Sequence, residues 1–185
     1  QIAVNNASLT TERFNVSGRA YYFKGTNANI ELSSNFPDMS SLSIGFWFKP
    51  DGTQSNDTGY IFWEGDGVCG KDVSIAYLNQ KIYIRADKNG STLNGMINQG
   101  MIDLSLISAA LNGWYHIMWV MQPTQSLIYV NGQYRTTASV NGSGVGTHYH
   151  PTFGCLNDGG TGTGICGTPK GHFLKGSLDD IQIYS

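Results

Sequence analysis

Period-two alternation of apolar and polar residues runs along most of the chain, interrupted at Gly, Asn, Asp and Pro, while apolar positions at helical spacing are nearly absent. Alternation of this kind places every second side chain on one face, so it predicts strands. SLSIGFWFKP (41–50) is the clearest case: Leu42, Ile44, Phe46 and Phe48 share one face and Ser43, Gly45, Trp47 and Lys49 the other. Pro50 ends that strand because it brings no ladder donor. RAYYFKG (19–25) and ANIEL (28–32) predict two short strands about a turn. GYIFWEGDG (59–67), VSIAYL (73–78) and KIYIRAD (81–87) predict a meander, with a tight turn at Asn79 and Gln80. WYHIMWVM (114–121) and SLIYVNGQYRTT (126–137) add strands and a hairpin, whose Asn131-Gly132 supplies the positive φ angles of a type I′ turn. MIDLSLISAAL (101–111) reads equally as a helix of two to three turns or as a strand and a loop. Residues 138–171 read as long polar loops around one strand near Thr152 and Phe153, and GSLDDIQIYS (176–185) as the final strand.

About ten strands without crossover helices predict an all-β protein, a two-sheet antiparallel sandwich, and its 185 residues suit a single domain. Charged residues make up only 13% of the chain, against about 25% in an average protein, and Gly, Ser, Thr and Asn take their place. Many secreted β proteins have such a surface. The net charge of −2 comes without any basic run, which excludes nucleic acid as an expected partner. The apolar runs are of strand length, so no membrane insertion is expected. The sequence opens at Gln1 with neither an initiator Met nor a signal peptide, as expected of a mature secreted form or an excised domain.

Cys155 and Cys166 bracket the Gly-rich loop LNDGGTGTGI, and a disulfide closing it would remove about 3 kcal/mol of unfolded-state entropy. Cys69 is then left odd, as a buried thiol or paired elsewhere. Asn-x-Ser/Thr occurs at Asn6, Asn15, Asn56, Asn89 and Asn141, and in so Asn- and Ser-rich a chain this marks exposed loops more than glycosylation.

Five segments, RAYYFKGTNANIEL, SLSIGFWFKPDG, GYIFWEGDG, LNGWYHIMWVMQPTQSLIYVNGQ and FLKGSLDDIQIYS, resemble in order and spacing those of the laminin-G-like, concanavalin-A-like lectin-glucanase family, which includes pentraxins. The resemblance covers the chain from about Ala7 onward. It implies a two-sheet antiparallel jelly-roll sandwich in an extracellular protein that binds glycans or proteins. In many relatives a strand precedes the segment matching ASLTTERF, and its first part is missing from this pattern, leaving the edge beside DIQIYS open or filled by something else.

The resemblance also implies a structural Ca2+ near the final strand, with Asp179 at the position that often serves it and Asp180 beside it. Calcium needs six to eight oxygens. However, the family's Phe-Asp-Gly reads Phe23-Lys24-Gly25 here, so the alternative is that the carboxylates accept hydrogen bonds from backbone or Lys24. Asp158, in the loop Asn157 to Gly160, is a second candidate for calcium.

Glycan binding needs aromatic faces with polar groups alongside. Trp63 with Glu64 and Asp66, and the loop residues His148, Tyr149 and His150, are the candidates, while Trp47, Trp114 and Trp119 are core or groove. His148 and His150 alone fall short of a zinc set. Catalysis is not expected: Glu12, Glu31 and Glu64 are isolated from one another, and no strand pairs two acids on one face as a retaining glycosidase requires. Two readings remain. One is a non-catalytic carbohydrate-recognition or adhesion module that docks a glycan or glycoprotein at a surface. The other is a structural subunit of an extracellular filament, fibre tip or surface layer, self-assembling through sheet edges.

Overall fold

The computed structural model describes residues 2–33, 41–52, 54, 58–65, 72–87, 100–140, 151–157 and 172–184. Two antiparallel sheets of seven strands face each other. The first has the order β1 (Ile2–Asn5), β4 (Asn29–Leu32), β13 (Thr152–Phe153), β6 (Gly59–Gly65), β7 (Asp72–Leu78), β8 (Lys81–Asp87), β9 (Gly100–Asp103). The second has the order β12 (Gln133–Ser139), β11 (Gln125–Val130), β10 (Tyr115–Met121), β5 (Leu42–Pro50), β14 (Lys175–Tyr184), β3 (Ala20–Lys24), β2 (Ser8–Thr10). This is the jelly-roll sandwich that the alternation and the resemblance imply.

The alternation decides which side chains meet between the sheets. In β5, Leu42, Ile44, Phe46 and Phe48 are each 1% exposed or less, and in the ladder Phe46 pairs with Ile117 and Ile44 with Trp119. Phe62, Ile75, Ile84 and Phe153 come from the first sheet to the same cluster. Truncating one such aromatic to Ala costs typically 3–5 kcal/mol. Trp119 and Trp114 are buried in this interior, whereas Trp47 lies on the outer face of β5 and is half-exposed.

The turns follow their chemistry. Asn131 and Gly132 take φ of 53° and 75°, and Asn79 and Gln80 take 50° and 62°, matching the right-handed twist of the strands they join. The ambiguous segment 101–111 resolves as strand and loop: Ile102 pairs with Ile82 at the sheet edge, and a single 3₁₀ turn, Leu104–Leu106, follows. Asp103 starts that turn by accepting from the Ser105 N–H at 3.0 Å.

Two strands went unseen in the sequence. β1 pairs with β4 and β2 with β3, and Asn6, at φ 54°, turns the chain from one sheet to the other. Both are short and mostly exposed, so their alternation carries little contrast. The side of β14 away from β5 is covered by β3 only from Lys175 to Leu178; beyond that, among the described residues, no strand pairs with it.

Gly154 locks the corner after β13. Its N–H reaches Ile61 O at 3.1 Å and its carbonyl accepts from Leu174 N–H at 2.9 Å, with φ at 89°. A Cβ here would run into the ring of Phe23, itself fully buried. Gly154→Ala is therefore expected to cost about 3 kcal/mol or more, read as a lower urea midpoint at unchanged m-value.

Candidate functional site

Adjacent residues of a regular strand point to opposite faces. Asp179 and Asp180 do not, because β14 takes up an extra residue between Asp179, opposite Trp47, and Gln182, opposite Gly45. Asp180 sits in the left-handed region at φ 46°, which Asp tolerates better than most residues. The two carboxylates thereby converge on one cation, Arg13. Its Nη1 donates to Asp179 Oδ2 and its Nη2 to Asp180 Oδ2, each at 2.5 Å, and Asp179 Oδ1 accepts from the Asp180 N–H at 2.8 Å. The guanidinium also stacks on the Trp47 ring, 4.8 Å from its centroid, and on Phe14 at 4.7 Å.

Arg13 is carried by a strap, residues 11–19, that leaves the sheet at β2 and returns at β3. The Gly18 and Arg19 N–H groups close it on Thr10 O. Glu12 holds it from inside: 7% exposed, it accepts from the Phe14 and Val16 N–H groups through Oε1, both at 3.0 Å. Asn112 Nδ2 donates to Arg13 O at 2.9 Å, so the strap crosses the outer face from β14 to the start of β10. Beneath it Trp47 meets His116 at 5.1 Å between ring centroids.

The arrangement answers the calcium expectation on the ground of fit. Both carboxylates are bonded to a guanidinium whose position a cation would have to take, and among the described residues no three His, Cys, Asp or Glu side chains gather as a metal requires. Asp179 and Asp180 do not fit Ca2+. Lys24 is not their partner either, for it stands opposite Lys175 at the far end of β14.

The other predicted residues are placed as follows. Trp63 is 2% exposed and Glu64 not exposed at all, for β6, between β13 and β7, is buried on both of its faces. Trp63 stands between Thr152 and Ser74, both buried, so neither it nor Glu64 stands at an open strand end. Asp66, His148, Tyr149, His150 and Asp158 lie outside the described residues, as do Cys69 and Cys166; Cys155 is fully buried.

Unforeseen in the sequence is the rest of the outer face of the second sheet. One row across it runs Tyr134, Tyr129, Met118, Gly45, Gln182, and the next Thr137, Leu127, Val120, Ser43, Tyr184. Neither row holds a charge. Tyr134 and Tyr184 are 55% and 53% exposed, and Tyr129, Met118, Leu127 and Val120 are half-buried. Tyr129 and Tyr134 meet edge to face at 5.9 Å; Tyr134 OH pairs with Thr137 Oγ1 at 2.7 Å and Tyr184 OH donates to Gln182 Oε1 at 2.7 Å. The exposed polar positions of alternating strands carried this signal, but only the register brings them together.

Burial and the neighbouring Asp180 raise the Asp179 carboxyl above its ordinary 3.8, against the pull of Arg13. Its ionisation thus costs stability as pH rises through that range. Arg13→Met removes the opposing pull, and we expect a loss of about 2 kcal/mol at pH 7 that shrinks toward pH 4, measured by denaturation at both values. Burial, and then Arg13, lower His116 below 6.5. The unfolded chain then binds the proton first, so stability present at pH 7 is lost as pH falls toward 5. The melting temperature of His116→Gln is expected to change less over that interval than that of the native chain.

No curated protein matches the sequence. Among solved structures, a botulinum neurotoxin serotype D binding domain shares 12% identity at a TM-score of 0.66, over 100% of this chain and 43% of that one. A botulinum neurotoxin type G receptor binding domain shares 14% at 0.65, over 100% and 42%. A native heptameric SAP-like pentraxin from Limulus polyphemus shares 20% at 0.60, over 88% and 73%. The chain thus spans less than half of the toxin domains, and at these identities the likeness is one of fold. The family model described as the concanavalin A-like lectin/glucanases superfamily matches residues 24–185, which takes in every strand of both sheets except β1, β2 and most of β3. The chain belongs to that superfamily.

Proposed function

We propose that this domain is a non-catalytic extracellular recognition module, which docks a carbohydrate or glycoprotein on the outer face of its second sheet. The observation that carries this reading is the pair of uncharged rows in which exposed Tyr134 and Tyr184 stand beside hydroxyl and amide groups on a rigid ladder. Ring faces meet the apolar faces of sugars, and Gln182 and Thr137 bond hydroxyls at their edges. That a neurotoxin receptor binding domain and a pentraxin share this fold supports a binding role.

A hydrolytic role has little to rest on. Glu12 is committed to the strap, Glu64 is buried, and the two converging carboxylates are held by Arg13. The second reading, assembly through sheet edges, draws on the side of β14 beyond Leu178, where among the described residues no strand follows β3.

The test is a glycan array followed by calorimetry. Tyr134→Ala with Tyr184→Ala is expected to weaken the selected glycan at least about tenfold while the melting temperature holds, as loss of stacking on exposed rings predicts. Retained affinity in this variant, with loss in Tyr149→Ala, would move the site to the loop around His148, Tyr149 and His150. A concentration-dependent oligomer that binds no glycan would favour assembly.

A further inference from the structure

The same face ends, beyond Trp47, in a cleft of a different character. Lys49 lies two residues past Trp47 on the outer side of β5, about 7 Å along the strand. It stands beside Ser177, which pairs with Tyr22. These three, with Thr10, Thr11, Pro50 and Asp51, line an open cleft of about 240 Å³. That is below the roughly 300–1,000 Å³ of pockets that hold drug-sized ligands, and suits a single sugar ring.

Its charge is out of keeping with the chain. Lys175 pairs directly with Lys24, and Lys49 stands beside Ser177, two residues on, so three lysines occupy neighbouring ladder positions at one corner of a protein whose net charge is −2, with the stem of Lys49 passing Gly113. Like charges set opposite each other in a ladder destabilise it. One carboxylate answers them: Asp51 Oδ2 lies 3.5 Å from Lys175 Nζ and accepts from Tyr22 OH at 2.8 Å. Asp179 and Asp180, further along the same face, are already neutralised in part by Arg13. The surplus is positive, and the hydroxyls of Thr10, Thr11 and Ser177 add neutral donors around it.

An oxyanion on a sugar ring is what such a set recognises. Lysine supplies a compact point charge and hydroxyls donate to the remaining lone pairs, while the ring hydroxyls of the sugar meet Asp51 and Tyr22. We propose that this cleft is a subsite for the carboxylate- or sulfate-bearing residue of an acidic glycan. It rests on the reading of the domain as a glycan-binding module and names the class of sugar.

The whole chain would be titrated at 0.15 M salt with three labelled probes: oligogalacturonate for the carboxylate, dextran sulfate oligomers for the sulfate, and neutral dextran oligomers. Preference for either acidic probe over the neutral one supports the subsite, and the better probe identifies the anion. Lys49→Met and the double variant Lys24→Met, Lys175→Met are expected to weaken that probe about tenfold or more, as charge-assisted bonds do when lost. Thr11→Val and Tyr22→Phe, which leave the charge unchanged, are expected to weaken it several-fold as well. Loss in the lysine variants with none in Thr11→Val and Tyr22→Phe would overturn the cleft in favour of diffuse attraction. Binding of neutral oligomers alone would overturn the subsite and leave the recognition module standing. No binding of any saccharide would remove both.

Discussion

The extra residue that β14 takes up between Asp179 and Gln182 decides how the outer face of the second sheet is used. Without it, Asp180 would point into the sandwich, where an ionised carboxylate has no place. With it, both carboxylates stand on the outer side, too close to share that face without a cation. A guanidinium suits the position better than an ammonium, because its fork reaches two acceptors while its plane lies on Trp47. The strap follows from that bond. Residues 11–19 have few apolar side chains to bury, for Phe14 and Val16 are 64% and 50% exposed, so the strap rests on Glu12 inside it and on Arg13 and Asn112 across the sheet.

The strap divides the face. On the side of β10, β11 and β12 the sheet presents tyrosines, Met118 and short apolar side chains, with exposed Arg135 at the bulge beside Tyr134. At the other end, where β5 and β14 meet β3 and β2, it presents hydroxyls, Lys24, Lys49 and Lys175, with Asp51 beside Lys175. Arg13 spends its single charge on the two carboxylates of Asp179 and Asp180, so it adds no positive field to the tyrosine platform, although the basic cleft lies within a few residues of it. Screening at physiological salt, with a Debye length of about 8 Å, works in the same direction.

Much of the sandwich was legible because its strands bury one face only. SLSIGFWFKP declared its inward set and put Trp47 on the opposite face, though not whether Trp47 was core or groove, and the two tight turns declared themselves through Asn-Gly and Asn-Gln. β6 was legible as a strand but not as to exposure. It is covered on both faces, so Trp63 and Glu64 look in sequence like residues at an open end. That Asp179 and Asp180 do not fit Ca2+ was hidden for a related reason. Two neighbouring aspartates announce a cation without naming it, and the partner lies 166 residues away in a segment with no periodic signal. The uncharged rows were likewise spread over β5, β10, β11, β12 and β14, and only ladder register joins them.

Recognition on a sheet face differs from recognition on loops in what must be ordered on binding. Trp47, Met118, Tyr129 and Ser177 project from strands paired on both sides, so their backbone is fixed before any ligand arrives, and little conformational entropy remains to be lost there. Tyr134 and Tyr184 are more exposed, yet each hydroxyl is already tied to a neighbour, Thr137 and Gln182, which limits the rotamers they visit. Lys24, Lys49 and Lys175 are the opposite case: long, exposed side chains whose ordering costs up to about 2 kcal/mol each, which a neutral hydroxyl would barely offset and an anion can. The platform is therefore suited to weak, shape-led contact with sugar rings, and the cleft to a contact that is made only when charge is present. A glycan bearing an acidic residue next to neutral ones would engage both, and the strap between them fixes the spacing it must have.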